Sequence, residues 1–131
     1  METNFDKVKS YVTELDYDIV SEDTAEELIV VDKLEDGVKN LIIDCEEDLL
    51  IIEAVIFQVK STTKDMLEWL LKTNRNLVHG SFVLDDSGQK ILFKDTLQLE
   101  NLDLNEIEAS LNSYQLLLSE YMNELIEFSQ Q

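Results

Sequence analysis

The chain has 131 residues, of which 44% are hydrophobic, so it can bury one core and is not expected to be disordered. Its 29 acidic and 10 basic residues give a formal net charge of −19, which repels nucleic acid and anionic lipid headgroups and favours basic partners. We therefore expect a single domain over residues 1–131 that binds no nucleic acid and does not insert into a membrane.

The first half of the chain predicts a helix followed by strands. Apolar residues recur at helical spacing behind a candidate N-cap at Thr3 or Asn4, namely Phe5, Val8, Val12 and Leu15. Residues 17–59 then change to runs rich in valine and isoleucine, separated by the acidic turns LEDG and CEED. Such short connections favour three or four antiparallel strands, because a parallel crossover needs about a dozen residues or more.

One of these strands, residues 49–57, has no polar face. If its side chains alternate strictly, one side presents Leu49, Ile51, Val55 and Phe57, and the other presents Leu50, Ile52, Ala54 and Ile56. A sheet with one face in water should alternate apolar and polar residues. We therefore expect this strand to be central and covered on both sides, with helices on one side and a partner subunit on the other.

The second half predicts a helix, a hairpin and a long helix. Thr62, with Asp65 three residues on, resembles a capping box, and the segments GSFVL and KILFKDTL flank the turn-rich connector DDSGQ. Asp103 is the expected N-cap of the last helix. Its heptad seam consists of Leu104, Ile107, Leu111, Tyr114, Leu118, Tyr121, Leu125 and Phe128, and Leu117, Met122 and Ile126 widen that seam on the outer flank. The fold class is α+β, with an antiparallel sheet of five or six strands in the order α-β-β-β-α-β-β-α.

Few residues suggest chemistry. His79 and Ser81 fall on the same side of the first hairpin strand, but no second glycine follows as in a nucleophile elbow, so a hairpin start is the better interpretation. The acidic turn at residues 44–48 lacks the glycine and ligand spacing of a calcium loop, and Cys45 has no cysteine or histidine beside it. We expect no catalytic residue, no metal and no cofactor. The lone Cys45 and the absence of a secretion signal at the N-terminus indicate the cytoplasm.

The order of elements resembles the fold of class I type III secretion chaperones, of which the Tir chaperone is an example. The stretch MLEWLLKTNRNLVHGSFVLDDSGQKILFKDTLQLENLDLNEIE is similar to YbjN-type bacterial proteins, with a leucine-rich helix ending in an asparagine, a GSF strand, a hairpin and the start of a last helix. Over nearly the whole chain, the segments EELIVVDKLEDGVKNLIIDCEEDLLIIEAVIF and LLKTNRN and the acidic final helix resemble the YjfI-like family of small acidic bacterial proteins.

These resemblances imply a binding protein. The YjfI-like family has no assigned activity and no catalytic residues, and its genes tend to neighbour one for a protein similar to phage shock protein A, a coiled-coil protein of the membrane-stress response. Secretion chaperones of this fold dimerise and bind extended or helical client segments on their sheet surface. No feature of this sequence indicates a secreted effector as its client.

The leading hypothesis is a non-enzymatic cytoplasmic adaptor or chaperone-like module. We expect a homodimer that binds a basic or coiled-coil protein partner on apolar surface with acidic rims. The candidate contact residues are Ile51, Val55 and Phe57 on the doubly apolar strand and Leu117, Met122 and Ile126 on the last helix; for each of them the alternative is burial in the core. Two other hypotheses are an acidic regulator that mimics nucleic-acid charge and a small hydrolase that uses His79 and Ser81.

Overall fold

A computed structural model describes all 131 residues and contains one six-stranded antiparallel sheet with three helices. In chain order the elements are α1 Asn4–Glu14, β1 Asp18–Asp23, β2 Leu28–Lys33, β3 Val38–Glu46, β4 Leu49–Gln58, α2 Lys64–Asn74, β5 Ser81–Leu84, β6 Lys90–Gln98 and α3 Leu104–Ser129. The strands lie in the order β1-β2-β3-β4-β6-β5. The α+β class and the order of elements predicted from the sequence are confirmed.

Side-chain caps define where the helices begin. Thr3 and Asp6 form a reciprocal capping box at α1, with both hydrogen bonds at 3.1 Å. Asp103 caps α3 as predicted, because its carboxylate accepts from the backbone N–H of Glu106 at 3.0 Å. The cap of α2 is Thr63 and not Thr62, so that prediction was wrong by one residue. Thr63 Oγ1 accepts from the N–H of Met66 at 3.2 Å, and this start turns Met66 into the core.

All three helices lie against one face of the sheet. The buried apolar side chains of the helices and of one face of the strands form a single core of 27 residues. Phe5, Val8 and Val12 contribute from α1, Met66 and Leu70 from α2, and Ile107, Leu111, Tyr114, Leu117 and Leu125 from α3. The opposite face of the sheet is left without a covering layer, so the expected helices cover one side only.

A β-bulge in β4 changes which residues face the core. Val55 pairs with Leu92 on β6, yet Phe57 pairs with Ile91, so two steps along β4 correspond to one step along its partner. The extra residue reverses the alternation, and Phe57 joins Leu50, Ile52 and Ala54 in the core. The prediction that Phe57 shares a side with Ile51 and Val55 was therefore wrong, although β4 is central as expected.

Helix α3 buries more than the expected seam, of which Ile107, Leu111, Tyr114 and Leu125 are buried as predicted. Leu117 is 1% exposed and lies in the core, whereas Leu118 and Tyr121 are only partly buried. The sheet covers a wider arc of this helix than one neighbouring helix would in a coiled coil, so residues beyond the heptad seam are buried. The expectation that Leu117 lies on the outer flank was wrong, while Met122 and Ile126 are exposed.

Candidate functional site

One face of the sheet is an apolar surface that the helices leave free. It carries Leu28, Val30, Ile42, Ile51, Val55, Val83 and Leu92, and none of these seven side chains packs against the core. Cross-strand pairing makes the surface continuous, since Val30 lies beside Ile42, and Leu92 lies between Val55 and Val83. We call this surface the open sheet face. Val55 is its most exposed member, at 45%.

A shallow depression lies near the middle of the open sheet face. It has a volume of about 360 Å³, and Ile42, Val55 and Leu92 supply its apolar lining. The backbone and side chains of Lys39, Asn40, Glu53 and Ala54 complete it. A depression with an apolar floor and a polar margin is suited to one apolar side chain of a bound protein rather than to a polar metabolite.

Two carboxylates on this face differ in their partners. Glu53 on β4 lies beside Lys94 on β6, with 3.8 Å between Oε1 and Nζ. Asp44 on β3 lies between Leu28 and Ile51, and no lysine or arginine of the chain is within ion-pair distance of it. Its Oδ1 is shielded from solvent and accepts no hydrogen bond. The chain therefore neutralises one of the two carboxylates and not the other.

The surroundings of Asp44 raise the pKa of its carboxyl group. Burial raises the pKa of Asp44 to about 6, and Glu46 raises it further through its charge and through a side-chain hydrogen bond. The charges of Glu26 and Glu53 act in the same direction. Glu46 belongs to the same strand, Glu26 to the turn before β2 and Glu53 to β4. Below that pKa the carboxyl is neutral, and above it the face carries an additional negative charge.

A second apolar surface lies at one end of the core, between α3 and the end of β4. This end groove has a volume of about 280 Å³, and its apolar lining consists of Ile56, Phe57, Leu118, Met122, Leu125 and Ile126. Met122 and Ile126, one helical turn apart, are 52% and 49% exposed. Asp36 is the only charged residue of the lining, and its carboxylate pairs with Lys33 at 3.2 Å.

The six sequence-predicted contact residues thus divide among three places. Ile51 and Val55 lie together on the open sheet face, Phe57, Met122 and Ile126 line the end groove, and Leu117 is in the core. The sequence reasoning missed the contributions of Val30, Ile42 and Leu92. The run LIVV in β2 has apolar residues at successive positions, as β4 does, and that signal predicts a strand with two apolar sides.

The histidine and serine of the hairpin do not form a catalytic pair. The side chain of His79 is exposed and makes no hydrogen bond, and Ser81 makes none through its hydroxyl. The backbone carbonyl of His79 accepts from Ser113 Oγ at 2.7 Å, so this residue attaches the hairpin to α3. Burial raises the pKa of Cys45 to about 11, which keeps its thiol protonated at neutral pH.

Neither a metal centre nor a membrane span is formed. No three histidine, cysteine, aspartate or glutamate side chains are grouped so as to hold a metal ion. None of the helices combines the length and the apolar character needed to cross a bilayer.

Known proteins resemble this chain in sequence pattern and in fold. The CesT_Tir_1 family model matches residues 1–131. The chain belongs to the CesT_Tir_1 family. The resemblance to Tir-type chaperones is confirmed, and the family consists of chaperone-type binding proteins. A search of curated proteins found no match.

Solved structures share the fold of this CesT_Tir_1 member. YbjN from E. coli superimposes with a TM-score of 0.72 at 13% identity, covering 95% of this chain and 94% of YbjN. A chain of the ExsC-ExsE complex gives a TM-score of 0.64 at 17% identity, with 88% of each chain covered. A chain of the Yersinia pestis secretion chaperone SycH in complex with a fragment of YscM2 gives 0.61 at 14% identity, covering 97% of this chain and 100% of that one. At these identities the likeness establishes the fold alone.

Proposed function

We propose that this protein is a non-enzymatic cytoplasmic adaptor or chaperone-like module that binds a segment of another protein on the open sheet face. The observation that carries the proposal is that seven apolar side chains form a continuous surface on this face and do not pack against the core. Exposed apolar surface of this extent is costly in water and is typical of a protein-binding surface. Membership of a family of chaperone-type binding proteins supports the same conclusion.

The charge of the chain defines the kind of partner. With 29 acidic and 10 basic residues, the chain attracts a segment that flanks apolar residues with lysine or arginine. An amphipathic segment of a coiled-coil protein has this chemistry. We therefore propose the phage-shock-protein-A-like protein, suggested by the YjfI-like resemblance, as the first candidate partner to test.

The test is capture of partners by wild-type protein and by two matched variants. Val55→Asp places a charge in the middle of the open sheet face, and Val78→Asp places the same charge on an 83% exposed valine away from it. We expect a partner, identified by mass spectrometry, to be retained by wild type and Val78→Asp and lost with Val55→Asp. Both variants should keep the thermal stability of wild type. Equal capture by all three would refute the proposed binding face.

A second candidate function, charge mimicry of nucleic acid, is favoured by the formal charge of −19. An acidic protein of this kind would occupy a basic nucleic-acid-binding partner without needing apolar contacts. Its binding would fall steeply with salt and would survive Val55→Asp. Binding that persists at high salt and is lost with Val55→Asp would exclude this candidate.

We also propose that the protein forms a homodimer through the end groove. Met122 and Ile126 form an i, i+4 stripe on α3, and the α3 helix of a second copy presents the same stripe in return. Sedimentation of wild type and Met122→Glu tests this directly. The variant should sediment as a monomer under conditions in which the wild type is a dimer, and a monomeric wild type would refute the proposal.

A further inference from the structure

Asp44 is a carboxylate of the open sheet face that is shielded from solvent and has no counter-charge within the chain. Asp44 lies in a row of the sheet between Leu28 and Ile51, so both of its cross-strand neighbours are apolar. Its Oδ1 is removed from solvent and has no hydrogen-bond donor. A shielded and unsatisfied carboxylate oxygen is unfavourable in the free protein, and its cost is relieved when a donor arrives.

The chain offers no cation of its own to this carboxylate. The charged groups that face Asp44 are Glu46 on the same strand, Glu26 from the turn before β2 and Glu53 on β4, all of them acidic. Lys94, a cation on the same face, is paired with Glu53. Repulsion among these groups makes the site more attractive to an incoming cation than an isolated aspartate would be.

We propose that Asp44 receives a lysine or arginine side chain of the protein segment bound on the open sheet face. This inference rests on the proposed function, because the segment is the one that covers Val55 and Ile42. The bound segment places an apolar side chain in the depression between Ile42, Val55 and Leu92 and its cation over Asp44. The ammonium or guanidinium donates to the shielded carboxylate oxygen, a charge-assisted contact between apolar walls.

The spacing of these two contacts restricts the segment. Along β3, Asp44 is two residues from Ile42 at the near side of the depression, which in a strand is about 7 Å. Along β4, Ile51 beside Asp44 is four residues from Val55 at the far side, which is about 13 Å. An extended segment spans this range with about two to four residues, and a helical segment with about five to nine. The cation and the apolar anchor should therefore lie within these separations in any set of binding peptides.

Proton linkage follows from the same contact. A cation held against Asp44 stabilises the ionised carboxyl, so binding lowers the pKa of Asp44 from its value of about 6 in the free protein. By the same linkage, binding weakens as the pH falls through 6, because protonated Asp44 no longer attracts the cation. The negative charges of Glu26, Glu46 and Glu53 add to the repulsion that ionised Asp44 experiences.

The experiment uses a displayed library of random 16-residue peptides, selected on the full-length protein at pH 7.5. The selected peptides are measured against wild type, Asp44→Asn, Glu53→Gln and Val55→Asp. We expect them to combine a lysine or arginine with an apolar residue and to lose about tenfold or more in affinity with Asp44→Asn. Glu53→Gln, which removes a carboxylate already paired with Lys94, should change the affinity much less.

The outcomes separate this inference from the proposed function. Peptides that need Val55 but bind Asp44→Asn as tightly as wild type would overturn the role of Asp44 and leave the binding face standing. Peptides that bind Val55→Asp normally, or a library that yields none, would overturn both. The ¹³C carboxyl resonance of Asp44, titrated free and with a selected peptide, gives an independent reading. Its midpoint should fall on binding, and an unchanged midpoint would count against the contact.

Discussion

Asn74, the last residue of α2, forms two hydrogen bonds with the backbone of Phe82 on the edge strand β5. Its Oδ1 accepts from the N–H of Phe82 at 2.7 Å, and its Nδ2 donates to the carbonyl of the same residue at 3.2 Å. The side chain thus occupies the outer edge of β5 as a neighbouring strand would, and it satisfies both polar groups there. This contact joins α2 to the sheet and supplies hydrogen-bond partners to the edge strand β5 at Phe82.

We expect Asn74→Ala to lower the free energy of unfolding by about 1–3 kcal/mol, because it leaves two partly buried backbone groups without partners. Urea unfolding followed by the fluorescence of Trp69, the only tryptophan, measures this loss. Trp69 lies 5.7 Å from Phe82 between ring centroids and so reports on the same region. The exposed Asn76→Ala is the control and should cost less than about 0.5 kcal/mol. Equal effects of the two substitutions would contradict the role given to Asn74.

Two glycines with nearly the same backbone conformation should respond differently to alanine. Gly80 has φ of +75° and Gly88 has φ of +74°, so both substitutions are strained by about 1 kcal/mol. A Cβ at Gly80 would also collide with the buried ring of Phe93 and approach the carbonyl of Lys94 to 3.1 Å, whereas Gly88 has open space around it.

We therefore expect Gly80→Ala to cost about 2 kcal/mol more than Gly88→Ala in chemical denaturation. The comparison isolates the packing effect because the backbone strain is common to both variants. Similar losses for both would mean that Phe93 moves aside at little cost.

Neighbouring leucines on α3 provide a test of which face of the helix is buried. Leu117 is 1% exposed and Leu116 is 56% exposed. Leu117→Ala should lower the free energy of unfolding by about 2–5 kcal/mol, and Leu116→Ala by well under 1 kcal/mol. If the two losses were reversed, α3 would present its other face to the sheet, and Leu117 would return as a candidate contact residue.

Asp44 should make stability depend on pH in an unusual direction for an aspartate. Because burial raises its pKa to about 6 in the folded protein, ionising Asp44 costs free energy, and this cost is complete above pH 6 and disappears as the pH falls below about 4. Asp44→Asn should therefore be more stable than wild type by about 1 kcal/mol at pH 7.5, a value reduced for the solvent that reaches the site. Near pH 3.5 this advantage should largely disappear.

The control for this measurement is Asp48→Asn, an exposed carboxylate in the turn after β3. This substitution should change the free energy of unfolding at pH 7.5 by less than about 0.5 kcal/mol. An Asp44→Asn variant that is less stable than wild type at pH 7.5 would show that the carboxylate stabilises the fold, contrary to the environment described above.

Much of the architecture follows from local patterns. Three local signals predict the order of helices and strands: the change in the spacing of apolar residues after Leu15, the short acidic turns, and the N-cap at Asp103. Each signal depends on residues that are close in sequence. The position of β4 in the centre of the sheet also follows, since only a central strand requires so many apolar residues.

It was harder to predict which side of the sheet or of a helix each side chain occupies. A strand that is apolar at every position does not specify its register, so the bulge that turns Phe57 inward leaves no trace in the pattern. The burial of Leu117 depends on how wide an arc of α3 the sheet covers. That Asp44 lies between apolar neighbours and has no counter-charge depends on residues of β2, β3 and β4, which are distant along the chain.

The bulge also determines where β4 tolerates a change of length. Residues 55–57 are the only point at which β4 reverses its alternation, so Val55 belongs to one apolar surface and Phe57 to another, although they are two residues apart. Removing Ile56 would leave Val55 opposite Leu92 and Phe57 opposite Ile91, so the residues beyond it would keep their facing. A one-residue deletion elsewhere in β4 would exchange interior and exterior for the residues beyond it. Single-residue insertions and deletions outside the bulge should therefore be tolerated far less than substitutions among the valines, leucines and isoleucines of this strand.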